Sequence, residues 1–154
     1  MKQQVYMALY APSSVQKLLD FLRTIYAVEF VIPVIIRPFG AAAQVGIPEA
    51  HRIAYKLNKP LLVLPELADL RHIVKCDSAF YLVEDGEEIG LHRLIEEIAY
   101  KRVALIMSSG EQEPSGKELE GLATIWLKDV PRGMPCTALA GIIVYELHRY
   151  FKQG

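Results

Sequence analysis

The sequence predicts an α/β fold in which a mostly parallel sheet carries helices on both faces. Short apolar runs alternate with helical periods from one end of the chain to the other, the order that builds parallel sheets. The runs are rich in β-branched residues and nearly free of charge, as strands covered on both faces are. Hydrophobic residues make up 52% of the chain and charged residues 23%, a balance that excludes wholesale disorder. With 154 residues the chain suits one well-formed core, so residues 1–154 are read as a single domain.

The elements follow in order. VYMALYA, Val5 to Ala11, is the first strand. The segment PSSVQKLLDFLRTIYA behind it sets Val15, Leu18, Leu19, Leu22 and Ile25 at helical spacing, with Ser13 or Ser14 as cap. FVIPVII, Phe30 to Ile36, is a second strand, and Pro33 favours an edge or bulged position for it because proline has no N–H to give to a ladder. GAAAQVG, Gly40 to Gly46, reads as a tight glycine-rich turn that could line a pocket or touch substrate. A helix follows over Pro48 to Leu57, with Pro48 and Glu49 suited to its first turn. KPLLVLP is a third strand, ELADLRHIVK a short helix and SAFYLVE a fourth strand. Glu88 to Tyr100 is helical, KRVALIMS is a buried strand, and SGEQEPSGKELEGLA is a loop with one helical turn. TIWLK is the last strand, and a helix over Thr137 to Phe151 closes the chain. On that helix Leu139, Ile142, Ile143, Leu147 and Tyr150 share a stripe that either the domain's own sheet or a second copy could bury, while Ala138, Ala140 and Gly141 allow close approach.

Charge and composition narrow the function. The net charge of -1 gives no global basic field, so a nucleic acid would have to be met by a local basic patch. Cys76 and Cys136 stand far apart and outside any paired motif, and the apolar run at the N-terminus is too short for a signal peptide or a membrane span. The expectation is therefore a cytoplasmic protein with no membrane association. His51, His72, His92 and His148 fall in four separate segments without metal-ligand spacing, so no metal site is expected. Cys136, at a helix start, reads as a small packed thiol rather than a reactive one. The acidic run VEDGEEIG reads as a solvent-facing turn.

Ligands of open α/β sheets sit outside the carboxyl ends of strands. Two glycine-bearing loops follow buried strands here, SSGEQEPSG at Ser108 to Gly116 and KDVPRGMP at Lys128 to Pro135. Neither contains GxxxxGK[ST] or GxGxxG, so neither is a phosphate cradle of those kinds.

The stretch VALIMSSGEQEPSGKEL resembles the second motif of the SPOUT-class knotted RNA methyltransferases, in particular their SpoU-like branch. WLKDVPRGMPCTALAGIIVYELHR resembles their third motif, a short strand, a small-residue loop and an alanine- and glycine-rich helix start. The resemblance covers mainly residues 103 to 149. It implies a C-terminal trefoil knot, S-adenosylmethionine as cofactor in the knotted loops, an RNA substrate and a homodimer that uses the last helix. Carried over residue by residue, it implies that Ser108, Ser109, Gly110 and Gly116 hold the cofactor from one loop. Leu127, Val130, Gly133, Met134 and Thr137 would hold it from the other. Pro135 stands where the family commonly has asparagine, and proline offers no side-chain hydrogen bond. The family also has an early asparagine and arginine, of which IIRPFG offers only Arg37. Arg37 could position a phosphate or polarise a ribose hydroxyl, or simply face solvent at a strand end. Glu111 could contact substrate or buttress its loop.

The function this implies is S-adenosylmethionine-dependent RNA methylation, most naturally of a ribose 2′-hydroxyl of tRNA or rRNA. The alternative is a catalytically degenerate knotted module that keeps the cofactor or RNA site without the chemistry. A flavodoxin-like or nucleotide-binding domain would share the sheet pattern but not the closing motif.

Overall fold

The computed structural model describes residues 5–153. Six strands form one sheet: β1 (Val5–Tyr10), β2 (Val31–Ile36), β3 (Leu62–Leu64), β4 (Ser78–Ile89), β5 (Val103–Ser108) and β6 (Ala123–Leu127). Their order is β3-β2-β1-β5-β4-β6, and every pairing is parallel. Five helices accompany them: α1 (Val15–Ile25), α2 (Ile47–Leu57), α3 (Asp69–His72), α4 (Leu91–Ile98) and α5 (Cys136–Gln153).

Alternation along the central strands decides which layer each side chain joins. Val5, Met7 and Leu9 of β1, with Val103, Leu105 and Met107 of β5, face a core closed by α1, α2, α4 and α5. Tyr6, Ala8 and Tyr10, with Ala104 and Ile106, face the other way. That second layer is covered by the single turn of α3 with its flanking residues Leu67, Val74 and Cys76, and by Leu119 and Leu122. All six residues of β1 are buried, as a strand flanked on both edges and both faces must be.

Several local expectations need adjustment. Pro33 lies inside the sheet, opposite Met7 of β1. It is tolerated because β3 pairs only with Val34 to Ile36, so the stretch of β2 holding Pro33 has a partner on one side only. The glycine-rich turn is a π-helical turn, Ala42–Gly46, that runs straight into α2. The acidic run is not a free turn. β4 continues through it, with Leu82 opposite Ile125, then Glu87 opposite the same residue, so Val83 to Gly86 arch out of the ladder as a long bulge. Gly86 makes the return possible, since a Cβ there would lie 2.7 Å from the Ile125 backbone nitrogen. The following helix begins correspondingly later, at Leu91.

The last helix buries Leu139, Ala140, Ile143, Val144 and Leu147 in the chain's own core. Much of the stripe that either partner could have covered is thus taken by the chain itself. An added Cβ on Gly141 would meet nothing within 4 Å, and Tyr145 is 60% exposed, so the outward face of α5 stays open.

Candidate functional site at the carboxyl ends of β1, β4 and β5

The strand order reverses between β1 and β5, since connections run outward from β1 to β2 and β3 on one side while β5 and β4 lie on the other. Such a switch point opens a crevice at the carboxyl ends of the strands. Three segments meet beside it: the start of α1, the loop after β5, and the β4 bulge with the turn that precedes α5.

The first junction is polar. Ser14 caps α1 by accepting from the Lys17 N–H at 3.1 Å, which brings the Lys17 side chain to the helix start. Lys17 Nζ donates to the Ser109 carbonyl at 2.6 Å and pairs with Glu111 Oε1 at 3.2 Å. The Glu111 carboxylate also accepts from the Ser13 N–H at 2.8 Å and from the Ser13 hydroxyl. Ser109, 3% exposed, donates its hydroxyl to the Ala11 carbonyl at 2.8 Å, and Ala11 itself has a positive φ of 50°. One side of the loop is thereby fixed to the end of β1.

The far side is fixed by two buried tyrosines. Tyr81 donates to Glu113 Oε2 at 2.7 Å, and Ser108 donates to Glu113 Oε1 at the same distance. Tyr10 donates to Glu118, whose other oxygen accepts from Arg37 Nη1 at 3.1 Å. Burial, reinforced by the neighbouring Glu113, pushes the Tyr81 hydroxyl pKa far above its ordinary value. Both tyrosines remain protonated donors at any physiological pH.

Between these anchors lies a cavity of about 560 Å³. Its walls come from Ser108 to Gly110 and Glu113 of one loop, Val83 to Asp85 of the bulge, Met134 to Cys136 before α5, and the side chains of Lys17, Trp126 and Leu139. Trp126 is held in place because its indole N–H donates to the Val130 carbonyl at 3.2 Å. The Gly133 N–H donates to Glu84 Oε1 at 3.0 Å, and Arg132 bonds the Glu84 carbonyl at 3.2 Å, so the bulge and the closing turn are laced together.

Of the residues singled out from sequence, Ser108, Ser109, Gly110 and Met134 line this cavity. Leu127 and Val130 are buried behind it, Gly133 ties the closing turn to the bulge, and Thr137 sits in the first turn of α5. Gly116 lies in an exposed turn away from the lining. Arg37 stands at the end of β2 with a positive φ of 54°, outside the lining, and bonds Tyr10 and Glu118. Cys136 is buried at the cavity edge, and burial raises its thiol pKa. Sequence reading missed Lys17, Glu84, Asp85, Glu113, Trp126 and Leu139. Lys17 was readable in principle, three residues after a cap serine that follows a buried strand. The bulge acids were not, because nothing local distinguishes a ladder interruption from a turn.

Among the described residues no three His, Cys, Asp or Glu side chains group to hold a metal ion, and no helix is long and apolar enough to cross a membrane.

The arrangement is that of the SPOUT fold, the class the two motifs resembled. A protein whose structure is described as giving insight into the 2-OH methylation of C/U34 on tRNA superposes with a TM-score of 0.71 at 18% identity, covering 100% of both chains. An AdoMet-bound rRNA methyltransferase from Sinorhizobium meliloti gives 0.69 at 15% identity over 97% of this chain and 57% of its own. Identities this low define the fold alone, and the trefoil knot is inferred through that fold class. By sequence, the chain belongs to the family described as RecB-family nuclease (DUF2122), which matches residues 40–146. An Aeropyrum pernix protein named "Putative type II restriction enzyme ApeKORF2002P" is 34% identical over 97% of this chain and 96% of its own length. A Methanocaldococcus jannaschii protein named "Putative type II restriction enzyme MjaORF1200P" is 29% identical over 52% of this chain and 55% of its own. The family's description names a nuclease, whereas the two solved structures that share the fold are named for methylation.

Proposed function

We propose that the protein is an S-adenosylmethionine-dependent RNA methyltransferase acting on a ribose 2′-hydroxyl of tRNA or rRNA. The observation that carries this reading is the cavity at the switch point, walled by the two loops whose sequences resemble the SpoU-like motifs. Its volume falls within the range of about 300–1,000 Å³ usual for small-ligand sites. Its chemistry fits the cofactor as well. Trp126, Leu139 and Met134 supply apolar wall for an adenine, backbone groups of Ser108 to Gly110 supply hydrogen bonds, and Glu84, Asp85 and Glu113 suit a sulfonium and the ammonium of the amino-acid portion.

The cofactor brings an electrophilic methyl group, and transfer to an oxygen needs alignment more than covalent help. This chain's residues would supply that alignment. Ser109, Gly110 and Met134 would border the ligand directly, while Leu127, Val130, Gly133 and Thr137 would act by fixing the loops that carry them. Lys17 holds the Ser109 carbonyl and Glu111 holds Lys17 and Ser13 in turn, so Glu111 serves as a buttress in this reading. Arg37, with its side chain 44% exposed, would meet an RNA phosphate at the end of β2 as part of a local basic patch. Two copies would pair through the open outer face of α5, around Gly141 and Tyr145. Pro135 borders the cavity where the family commonly has asparagine, which favours a binding module without catalysis as the second reading.

Calorimetric titration with S-adenosylmethionine, followed by transfer of labelled methyl to total RNA, tests both. Binding at one site per chain with incorporation into ribose supports the methyltransferase; binding without transfer supports the module. Failure to bind, together with magnesium-dependent cleavage of DNA, would instead move the assignment to the activity named in the family's description.

A further inference from the structure

The segment after β5 carries four glutamates, Glu111, Glu113, Glu118 and Glu120, and of these Glu113 is the one that lines the cavity. Glu111 is paired with Lys17, and Glu118 is paired with Arg37. Among the described residues no cation pairs with Glu113: its two oxygens accept from the neutral hydroxyls of Tyr81 and Ser108, both at 2.7 Å. Tyr81 is 2% exposed and held in β4 opposite Ile106 and Thr124, so the donor that orients Glu113 belongs to the rigid sheet. Ser108 ends β5, and its hydroxyl also accepts from the Gly110 N–H at 3.0 Å. The carboxylate is therefore oriented at the cavity wall with no ion pair to compensate its charge among the described residues.

The rest of the lining adds to that charge. Glu84 and Asp85 line the same space, and Glu84 is bonded by a backbone N–H, again a neutral donor. Among the described lining residues the sole formal cation is Lys17, already committed to the Ser109 carbonyl and to Glu111. Three carboxylates face one engaged ammonium. Such a wall favours a positively charged occupant and does nothing for a neutral one of the same shape.

We propose that Glu113 is a specificity-determining residue that makes this cavity prefer a sulfonium nucleoside over the corresponding uncharged thioether. The inference rests on the methyltransferase reading. It gives the site a means of releasing the demethylated product, because loss of the methyl group removes the positive charge while the nucleoside and amino-acid parts stay the same.

Calorimetry on the full chain with S-adenosylmethionine and S-adenosylhomocysteine tests it through the ratio of the two dissociation constants. Wild type should hold the sulfonium roughly tenfold tighter, with the ratio shrinking as salt rises. Glu113→Gln should abolish most of the preference by weakening the sulfonium ligand selectively. Glu113→Asp keeps the charge on a shorter arm and should weaken both ligands with the preference retained. Equal or tighter binding of the thioether by wild type overturns the inference and leaves the methyltransferase reading standing. A Glu113→Gln protein that weakens both ligands by one factor overturns it too, since Glu113 would then only shape the loop. If wild type binds neither ligand, the methyltransferase reading falls and the inference with it.

Discussion

Glu118 sits where three effects compete, and the balance has a measurable consequence. Burial alone would raise its pKa, but hydrogen bonds from Tyr10 and Ser115 and the nearby Arg37 guanidinium hold it below the usual carboxylate value. Because the folded pKa is depressed, the ionised form stabilises the fold above about pH 4.3, the ordinary glutamate value, and that contribution disappears as pH falls through the folded pKa. Glu118→Gln should therefore cost about 1 kcal/mol at pH 7 and flatten the acid limb of stability. Urea midpoints measured between neutrality and pH 3 check this; parallel wild-type and variant curves would contradict it. The cysteines obey the opposite influence. Burial pushes the Cys76 thiol up to about 11 and raises Cys136 as well. Neither should alkylate appreciably with iodoacetamide at pH 8 in the native protein, whereas both should react after unfolding, as intact-mass spectrometry will show. The packed character of Cys136 was legible from its apolar neighbours. The partners Lys17 of Glu111, Tyr81 of Glu113 and Tyr10 of Glu118 were not, since each lies on a strand or helix distant in sequence.

At the scale of elements, legibility tracked local signals. α1 was readable because a serine cap precedes a 3.6-residue apolar period, and α2 because Pro48 and Glu49 suit a first turn; the structure adds that Asn58 ends α2 in the left-handed conformation. β4 was only half readable. Its second part pairs with β6 through Glu87 and Glu88, residues that no strand propensity favours, and it does so because Val83 to Gly86 bulge outward. Gly86 is the residue on which that path turns. Gly86→Ala should destabilise the protein by about 1–3 kcal/mol through overpacking against Ile125, measured by urea unfolding, and should weaken ligand binding because Glu84 and Asp85 ride on the same bulge. α5 offers a contrast. Leu147, fully buried, should cost about 2–5 kcal/mol when truncated to alanine, while Tyr145→Ala on the open face should leave the monomer's stability nearly unchanged.

For the whole molecule, occupancy of the switch-point cavity should register as global stability. A ligand that binds only the folded state at a hundred times its dissociation constant adds about 2.7 kcal/mol, so S-adenosylmethionine should raise the melting temperature in a concentration-dependent way. No rise at millimolar ligand would count against the cofactor assignment. The sequence by itself determined the layered parallel architecture, because buried strands and amphipathic helices announce themselves through periodicity and charge within a dozen residues. It also marked the two loops beside the cavity through their glycines and small residues. Only the tertiary structure decided that the β4 acids form a cavity wall, that Lys17 and Glu111 lock one loop to the end of β1, and that Glu113 lines the cavity without the paired cation that Glu111 and Glu118 have among the described residues. The physical reason is range. Periodicity is a property of consecutive residues, whereas charge compensation depends on which strands the fold brings side by side.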